Sequence, residues 1–432
     1  MLEVALLALA VLVVALSIGV PLPMCFGAGL MVMSLLGGVT MKGTMLWGFG
    51  QLGNPVLLAI PLFILAGTLM SVSGIAASLL KLVDVFIGHV RGGLGVVATL
   101  SCAVIGAISG SGLTGVAAIG PLLIPEMTKQ GYPRGYATAL VACSSVLGLL
   151  IPPSVTMIVY GWVTDTSILA SFLATLGPGL MITASLIVVN LVTARRFDLQ
   201  LQARPDLATM LAQARRRSLV AAPALLMPVI ILGGIYGGVL TPTEAAAVAV
   251  IYAVPVGAAV YRGLNLRTLF EAGKEAGTAV GAIMLMILFS MILSQMFTLE
   301  SIPQRMVDAV FGLTQDRMLI LLLVNLVLFV VGMIVNDITA IILLAPLLMP
   351  LMKAIGVDPV HFAAIMGVNT ALGGITPPYA SILYMGARIG NARVVEVVGP
   401  AMRLLLLGFL PTVLLTTYWP ELALFFPRLF GY

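Results

Sequence analysis

The chain has 432 residues, of which 61% are hydrophobic and only 9% charged, with a formal net charge of +5 and a mean hydropathy of +1.17. Soluble globular proteins carry about 45–50% apolar and about 25% charged residues, so this composition cannot cover a water-facing surface. It excludes a soluble multidomain enzyme, a disordered protein and a disulfide scaffold. The apolar runs are continuous and do not alternate as in a transmembrane barrel, which leaves an all-α polytopic membrane protein. Cys25, Cys102 and Cys143 lie scattered inside apolar runs, and His89 and His361 are the sole histidines. Neither set makes a metal or disulfide framework. The basic residues fall between apolar spans, which fits cytoplasmic anchoring and not nucleic-acid binding.

In chain order, segments of spanning length lie near 4–20, 24–38, 54–72, 136–160, 169–193, 219–237, 243–261, 277–297, 361–384 and 397–418. About ten spanning helices are therefore expected. The first begins with Glu3 and no positive leader, so it reads as a span and not a cleaved signal. Two further runs are longer. No charged residue occurs between Arg91 and Glu126, and only Asp337 between Arg317 and Lys353. Each run, about 34 residues, would make a helix of roughly 50 Å, against a hydrocarbon core of about 30 Å. Ser109-Gly110-Ser111-Gly112 interrupts the first, and Asn336-Asp337 the second. Two re-entrant helical hairpins are expected, with tips buried in protein or lining an aqueous cavity.

The 194–218 connection holds Arg195, Arg196, Arg204, Arg215, Arg216 and Arg217 and is assigned to the cytoplasm. The connections 73–92 (Lys81, Arg91) and 128–135 (Lys129, Arg134) then share that side, as does 262–276, while 161–168 and 298–317 lie outside. The first hairpin enters from the cytoplasm and the second from the opposite face. Both termini come out extracytoplasmic, with Arg403 working against that placement at the C-terminal end.

An internal repeat is the most informative feature. An offset of 225 links Pro121 to Pro346, Pro125 to Pro350, Gly131 to Gly356, Gly148 to Gly373, Pro152-Pro153 to Pro377-Pro378 and Gly161 to Gly386. The first repeat covers 1–218 with its hairpin at about 92–127; the second covers 219–432 with its hairpin at about 318–352. Inverted repeats with broken helices are the architecture of secondary transporters, whose sites lie at the repeat interface near the midplane. Hairpins and broken helices 136–160 and 361–384 form the transport domain in this reading, and the remaining spans the scaffold.

Symmetry brings together the hairpin tips and the breaks Gly148–Ser154 and Gly373–Pro378. A Pro-Pro pair inside a span frees carbonyls, and glycine lets backbone curl around a small ion. With serine, threonine and asparagine oxygens, these carbonyls make a cage for a hard monovalent cation, and sodium is the natural candidate. Helix halves starting after each break point positive dipole ends inward, which suits an anionic substrate. Asp337, alone in its run, either faces that cavity or its cation, or caps the following helix; the two are compatible. Ser109 and Ser111 carry the same pair of readings. Glu244, after Thr241-Pro242-Thr243, is expected to cap the helix starting there, and Trp47, Trp162 and Trp419 lie near span ends as interfacial anchors. No P-loop, HExxH or G-x-S-x-G pattern is present, so no enzymatic hydrolysis is expected and energy must come from an ion gradient.

At these residues the chain resembles the large membrane subunit (DctM-like) of tripartite ATP-independent periplasmic (TRAP) transporters. The matching stretches are Leu57–Gly67, Gly106–Gly120, Pro125–Tyr132, Ile151–Gly161, Gly177–Leu180 and Leu240–Ala247, with Asn336–Pro350 and Gly373–Gly386 in the second half. The resemblance implies an inner-membrane protein of a bacterium or archaeon. It also implies sodium-coupled import of a small organic anion, such as a C4-dicarboxylate, sialic acid or another sugar or keto acid, by elevator movement. The implied partners are a small four-helix membrane subunit and a soluble extracytoplasmic substrate-binding protein. Ser109 and Gly112 with Gly148 and Pro152 would make a first sodium site, and Asn336 and Thr339 with Gly373 and Thr376 a second. Substrate would lie near Ser111, Ser154 and Asp337. The chain departs from the family's further serine and small residue at Gly112 and Thr114. The alternative is a stand-alone sodium/dicarboxylate symporter of the same hairpin architecture, without a binding protein.

Overall fold

The computed structural model describes residues 2–38, 40–200 and 206–432, and every regular element among them is a helix. Arg204 of the basic connection lies outside these residues. The first part of the chain forms α1 (Leu2–Ser17), α2 (Leu22–Gly37), α3 (Met41–Leu52), α4 (Ala59–Ser73) and α5 (Ile75–Ile87). The first hairpin is α6 (Gly93–Ser109) and α7 (Gly112–Lys129). It is followed by α8 (Arg134–Ser145), α9 (Val155–Thr164) and the long α10 (Ile168–Ala194). The second half runs α11 (Leu207–Tyr236), α12 (Pro242–Pro255), α13 (Leu266–Leu299) and α14 (Ile302–Leu313). Then come the hairpin α15 (Arg317–Gly332) and α16 (Asp337–Ala354), then α17 (Pro359–Gly373), α18 (Ser381–Ile389), α19 (Val394–Leu404), α20 (Leu410–Tyr418) and α21 (Glu421–Leu429).

Seven helical stretches among the described residues are long and apolar enough to cross a membrane, and five further apolar helices are shorter. The protein is a multi-pass membrane protein. Its longest helix, α13, has 34 residues and measures about 50 Å at 1.5 Å per residue.

Element boundaries repeat along the chain. α7 begins at 112 and ends at 129, and α16 begins at 337 and ends at 354, each 225 later. α8 and α17 also begin 225 apart. The structure adds four helices outside the expected spans: α3 between 38 and 54, α21 beyond 418, and two in longer connections. α5 lies within 73–92 and α14 within 298–317. Both are amphipathic: α5 buries Ile75, Ala76, Leu79, Leu80 and Val85 and exposes Lys81, and α14 buries Ile302 and Val307 and exposes Arg305 and Asp308. Their charges sit on one face, and a hydropathy average over the whole stretch hides the other.

Packing falls into two groups. α1 packs on α2, and α13 packs on α2, α3 and α4, with α12 against α4 and α11 against α5 and α12. The hairpins pack with α8, α9, α17 and α18, and α10 and α19 pack onto this second group. Within it the repeats interlock crosswise: α9 packs on α16, and α18 packs on α7. Close helix approaches depend on paired glycines. A Cβ on Gly106 would lie 2.3 Å from the Gly148 Cα, and a Cβ on Gly373 would lie 2.3 Å from the Gly332 carbonyl oxygen. These two crossings tie the first arm of each hairpin to the helix leading into the break. A third, where a Cβ on Gly67 would meet Ser109 at 2.6 Å, seats α4 against the first tip.

Helix starts use expected chemistry. Thr241 and Glu244 form a capping box at α12, with the Thr241 N–H donating to Glu244 Oε2 at 2.8 Å and the Glu244 N–H to Thr241 Oγ1 at 3.3 Å. The three cysteines are free and buried, as packing hydrophobes.

Candidate substrate and ion site

The crosswise interlock aims four helix starts at one point. Gly110 (φ +61°) turns the first hairpin, leaving Ser111 as the residue before α7. Asn336 holds the same place before α16, 225 residues later, and its Oδ1 accepts the Ile338 N–H at 3.0 Å. The cap of α16 is therefore Asn336 and not Asp337, which is the first residue of the helix. After the breaks, α9 starts at Val155 and α18 at Ser381. The Pro152–Pro153 and Pro377–Pro378 peptide bonds are both cis.

A cavity of about 70 Å³ sits where these starts meet. Ser111, Gly112, Asn336, Asp337, Val155 and Ser381 line it, so all four starts reach it. Backbone hydrogen bonds tie tips to breaks: the Val155 N–H donates to Gly110 O at 3.4 Å, and the Tyr379 N–H to Met333 O at 3.0 Å. Only Ile64 of α4 and Ile283 of α13 come from the other packing group. One wall is thus purely apolar, and every polar group belongs to the hairpin group.

Among the residues singled out from the sequence, Ser111, Gly112, Asn336 and Asp337 line this cavity. The rest stand behind it. Ser154 is fully buried; its Oγ donates to Leu149 O at 2.6 Å and meets Thr156 Oγ1 at 2.7 Å. Ser109 Oγ donates to Ile105 O at 3.0 Å, and Thr376 Oγ1 to Leu372 O at 2.8 Å. Thr339 is buried beside Met286, with Oγ1 3.8 Å from Sδ. Gly148 lies on the first tip, where a Cβ would come 3.0 Å from Ser111 O, and Gly373 lies on Gly332. Pro152 forms the break and does not line the cavity.

Tyr379 and Ser381 also line the cavity and carry its remaining hydroxyls. The sequence reading passed over both. The 225 offset was the available signal, since it pairs Tyr379 with Ser154 and Ser381 with Thr156. The repeats differ here: the hydroxyls of the first fold back on Leu149 O, whereas Tyr379 and Ser381 of the second line the cavity.

Each helix start carries about half a positive charge from aligned peptide dipoles, and Asp337 brings a formal negative charge into the same space. The Asp337 carboxylate lies against the N–H groups of Asp337 and Ile338 and the Asn336 side chain. Among the described residues no group of three or more His, Cys, Asp or Glu side chains is arranged to hold a metal ion. Any cation here would depend on Asp337, hydroxyls and carbonyls, a donor set suited to a weakly held monovalent ion and not to a transition metal.

Residues 9–422 match the family model described as tripartite ATP-independent periplasmic transporter, DctM component. The chain belongs to the DctM family. It is 37% identical over 375 residues to the C4-dicarboxylate TRAP transporter large permease protein DctM of Pseudomonas aeruginosa, covering 87% of each chain. It is 34% identical over 416 residues to the isethionate TRAP transporter permease protein DctMQ of Oleidesulfovibrio alaskensis, covering 95% of this chain and 65% of that one. Among solved structures, the YdaH transporter of Alcanivorax borkumensis superposes with a TM-score of 0.62 at 17% identity, covering 88% of this chain and 87% of that one, a likeness of fold. Membership of the DctM family favours the tripartite reading over the stand-alone symporter.

Proposed function

We propose that this chain is the large permease of a sodium-coupled importer of a small organic anion in a bacterial or archaeal inner membrane. The anion is a carboxylate, such as a C4-dicarboxylate or a sugar or keto acid, or a sulfonate of similar size; C4-dicarboxylate and isethionate stand in the relatives' names. Its partners are a small four-helix membrane subunit and a soluble extracytoplasmic binding protein. The convergence of four helix starts and Asp337 on one cavity carries this reading.

Coupling follows from the charges. Asp337 offsets part of the positive field of the helix starts and repels an anion placed beside it; a sodium ion at the carboxylate removes that local repulsion and leaves the dipole ends for the substrate. By linkage, bound anion then tightens sodium by the same factor. Movement is of the elevator kind: the hairpin group slides against α1–α4 and α11–α13, with about ten crossings in all and the two repeats inverted; α10 and α19–α21, assigned to the scaffold from the sequence, are placed with the moving group because they pack on it. The lining supports this, because the cavity's polar groups all ride on one body and face only Ile64 and Ile283 on the other; the nearby polar contact that crosses is the weak Thr339 Oγ1–Met286 Sδ pair at 3.8 Å.

The test of this reading is reconstitution of the chain with its small subunit in liposomes, with a labelled C4-dicarboxylate, isethionate or sialic acid supplied on its binding protein. Uptake of one of them only when all three components are present is expected. Full uptake by the chain alone would return the stand-alone symporter.

A further inference from the structure

We propose that a groove between α8, α10, α19 and the turn that follows α19, away from the transport cavity, is a binding site for an anionic phospholipid of the cytoplasmic leaflet. The groove has a volume of about 770 Å³. Its walls are apolar, from Val188, Val192, Pro400, Leu404 and Leu407. Val188, Val192 and Leu407 are between 55% and 61% exposed, so the groove opens outward on the bilayer side. The floor is stiff: Tyr136 and Phe197 meet edge to face at 5.0 Å between ring centroids, with Tyr132 packed against both.

Three arginines line this apolar space: Arg134, Arg196 and Arg403. Arg134 donates to the Asn391 carbonyl at 3.4 Å. The Arg196 and Arg403 guanidinium groups have no hydrogen-bond or ion-pair partner among the described residues. The single carboxylate in the lining, Glu396, is taken by Arg393 at 2.6 Å. The groove therefore holds surplus positive charge. Arg403 is the telling residue. It stands in the helical stretch Val394–Tyr418, seven positions or about 10 Å beyond Glu396, and no further charge follows it up to Tyr418. A cation at that depth needs an anion or a route to the interface. The side is set by the arginine-rich connection after α10, which marks the cytoplasmic leaflet, where basic pockets between spans take anionic headgroups. A phosphate between Arg196 and Arg403, with an acyl chain along Val188, Val192 and Leu407, satisfies both the charge and the walls.

Native mass spectrometry of the full chain, released from detergent with dioleoyl phosphatidylglycerol or dioleoyl phosphatidylcholine, tests this. Retention of phosphatidylglycerol well above phosphatidylcholine is expected. Arg196→Gln with Arg403→Gln should weaken that retention roughly 30-fold, the combined effect of two arginines at a membrane surface, with thermal stability in lipid-free detergent unchanged. Val192→Trp keeps the arginines and fills the groove, and should expel the lipid too. Equal retention of the two lipids would overturn the assignment, as would undiminished phosphatidylglycerol binding in either variant. Displacement of the lipid by free glycerol phosphate at equal concentration would overturn it as well, because the site would then belong to a soluble anion.

Discussion

Asn369 on α17 donates from Nδ2 to Oδ1 of Asn325 on α15 at 2.7 Å, both side chains buried. In the first repeat, Ser144 on α8 lies 225 positions before Asn369, and its hydroxyl meets that of Thr99 on α6 at 3.0 Å. The two hairpins are thus clamped to the helices entering the breaks by polar pairs at matching heights. Thr417 on α20 adds a second donor to Asn325 Oδ1 at 3.1 Å. These clamps explain how interrupted helices hold position beside a cavity.

Breaking the second clamp should be costly. Asn369→Ala removes the shorter of the two donors to Asn325 Oδ1 while Thr417 keeps the other, so the loss of one buried hydrogen bond should cost about 0.5–1.5 kcal/mol. A lower melting temperature in detergent is expected, and the effect should shrink when Asn325→Leu is already present. Full additivity of the two substitutions would show that the clamp carries no energy.

The glycine crossings should be equally intolerant. Gly373→Ala sets a methyl 2.3 Å from the Gly332 carbonyl oxygen, and Gly106→Ala sets one 2.3 Å from the Gly148 Cα. Backbone must shift in both, at a cost of about 1–3 kcal/mol. Gly281, with nothing within 4 Å, is the control. Comparable melting temperatures for all three alanine variants would contradict this packing.

Asp337 and Asn336 should separate charge from capping. Asp337→Asn keeps the shape and removes the charge; uptake and its sodium dependence should fall tenfold or more with little change in stability. Asn336→Ala removes the cap of α16 and should destabilise by about 0.5–2 kcal/mol. Uptake against sodium concentration and thermal melting distinguish the two. Normal sodium-dependent uptake by Asp337→Asn would take the carboxylate out of the mechanism.

Much of this was legible because proline and glycine mark backbone directly. The offset that pairs Pro121 with Pro346 also pairs the ends of α7 and α16, and the polar interruptions at Ser109–Gly112 and Asn336-Asp337 fall at the hairpin turns. Side-chain direction was less legible. Ser154 and Tyr379 occupy matching positions, yet one hydroxyl is spent on Leu149 O while the other residue lines the cavity. That choice is made by local hydrogen bonding, which spacing does not encode. Lys81 and Arg305 drew α5 and α14 into the connections, since a charged face outweighs a buried one in a window average.

In the proposed function, a sodium gradient drives anion entry through the Asp337 cavity. The most direct test is initial uptake by the complete three-component system in proteoliposomes, with an inward gradient of sodium, potassium or choline and no ATP. Rapid uptake with sodium alone, collapsing when sodium is equal on both sides, is the predicted result. Equal uptake with potassium or choline in place of sodium would contradict it.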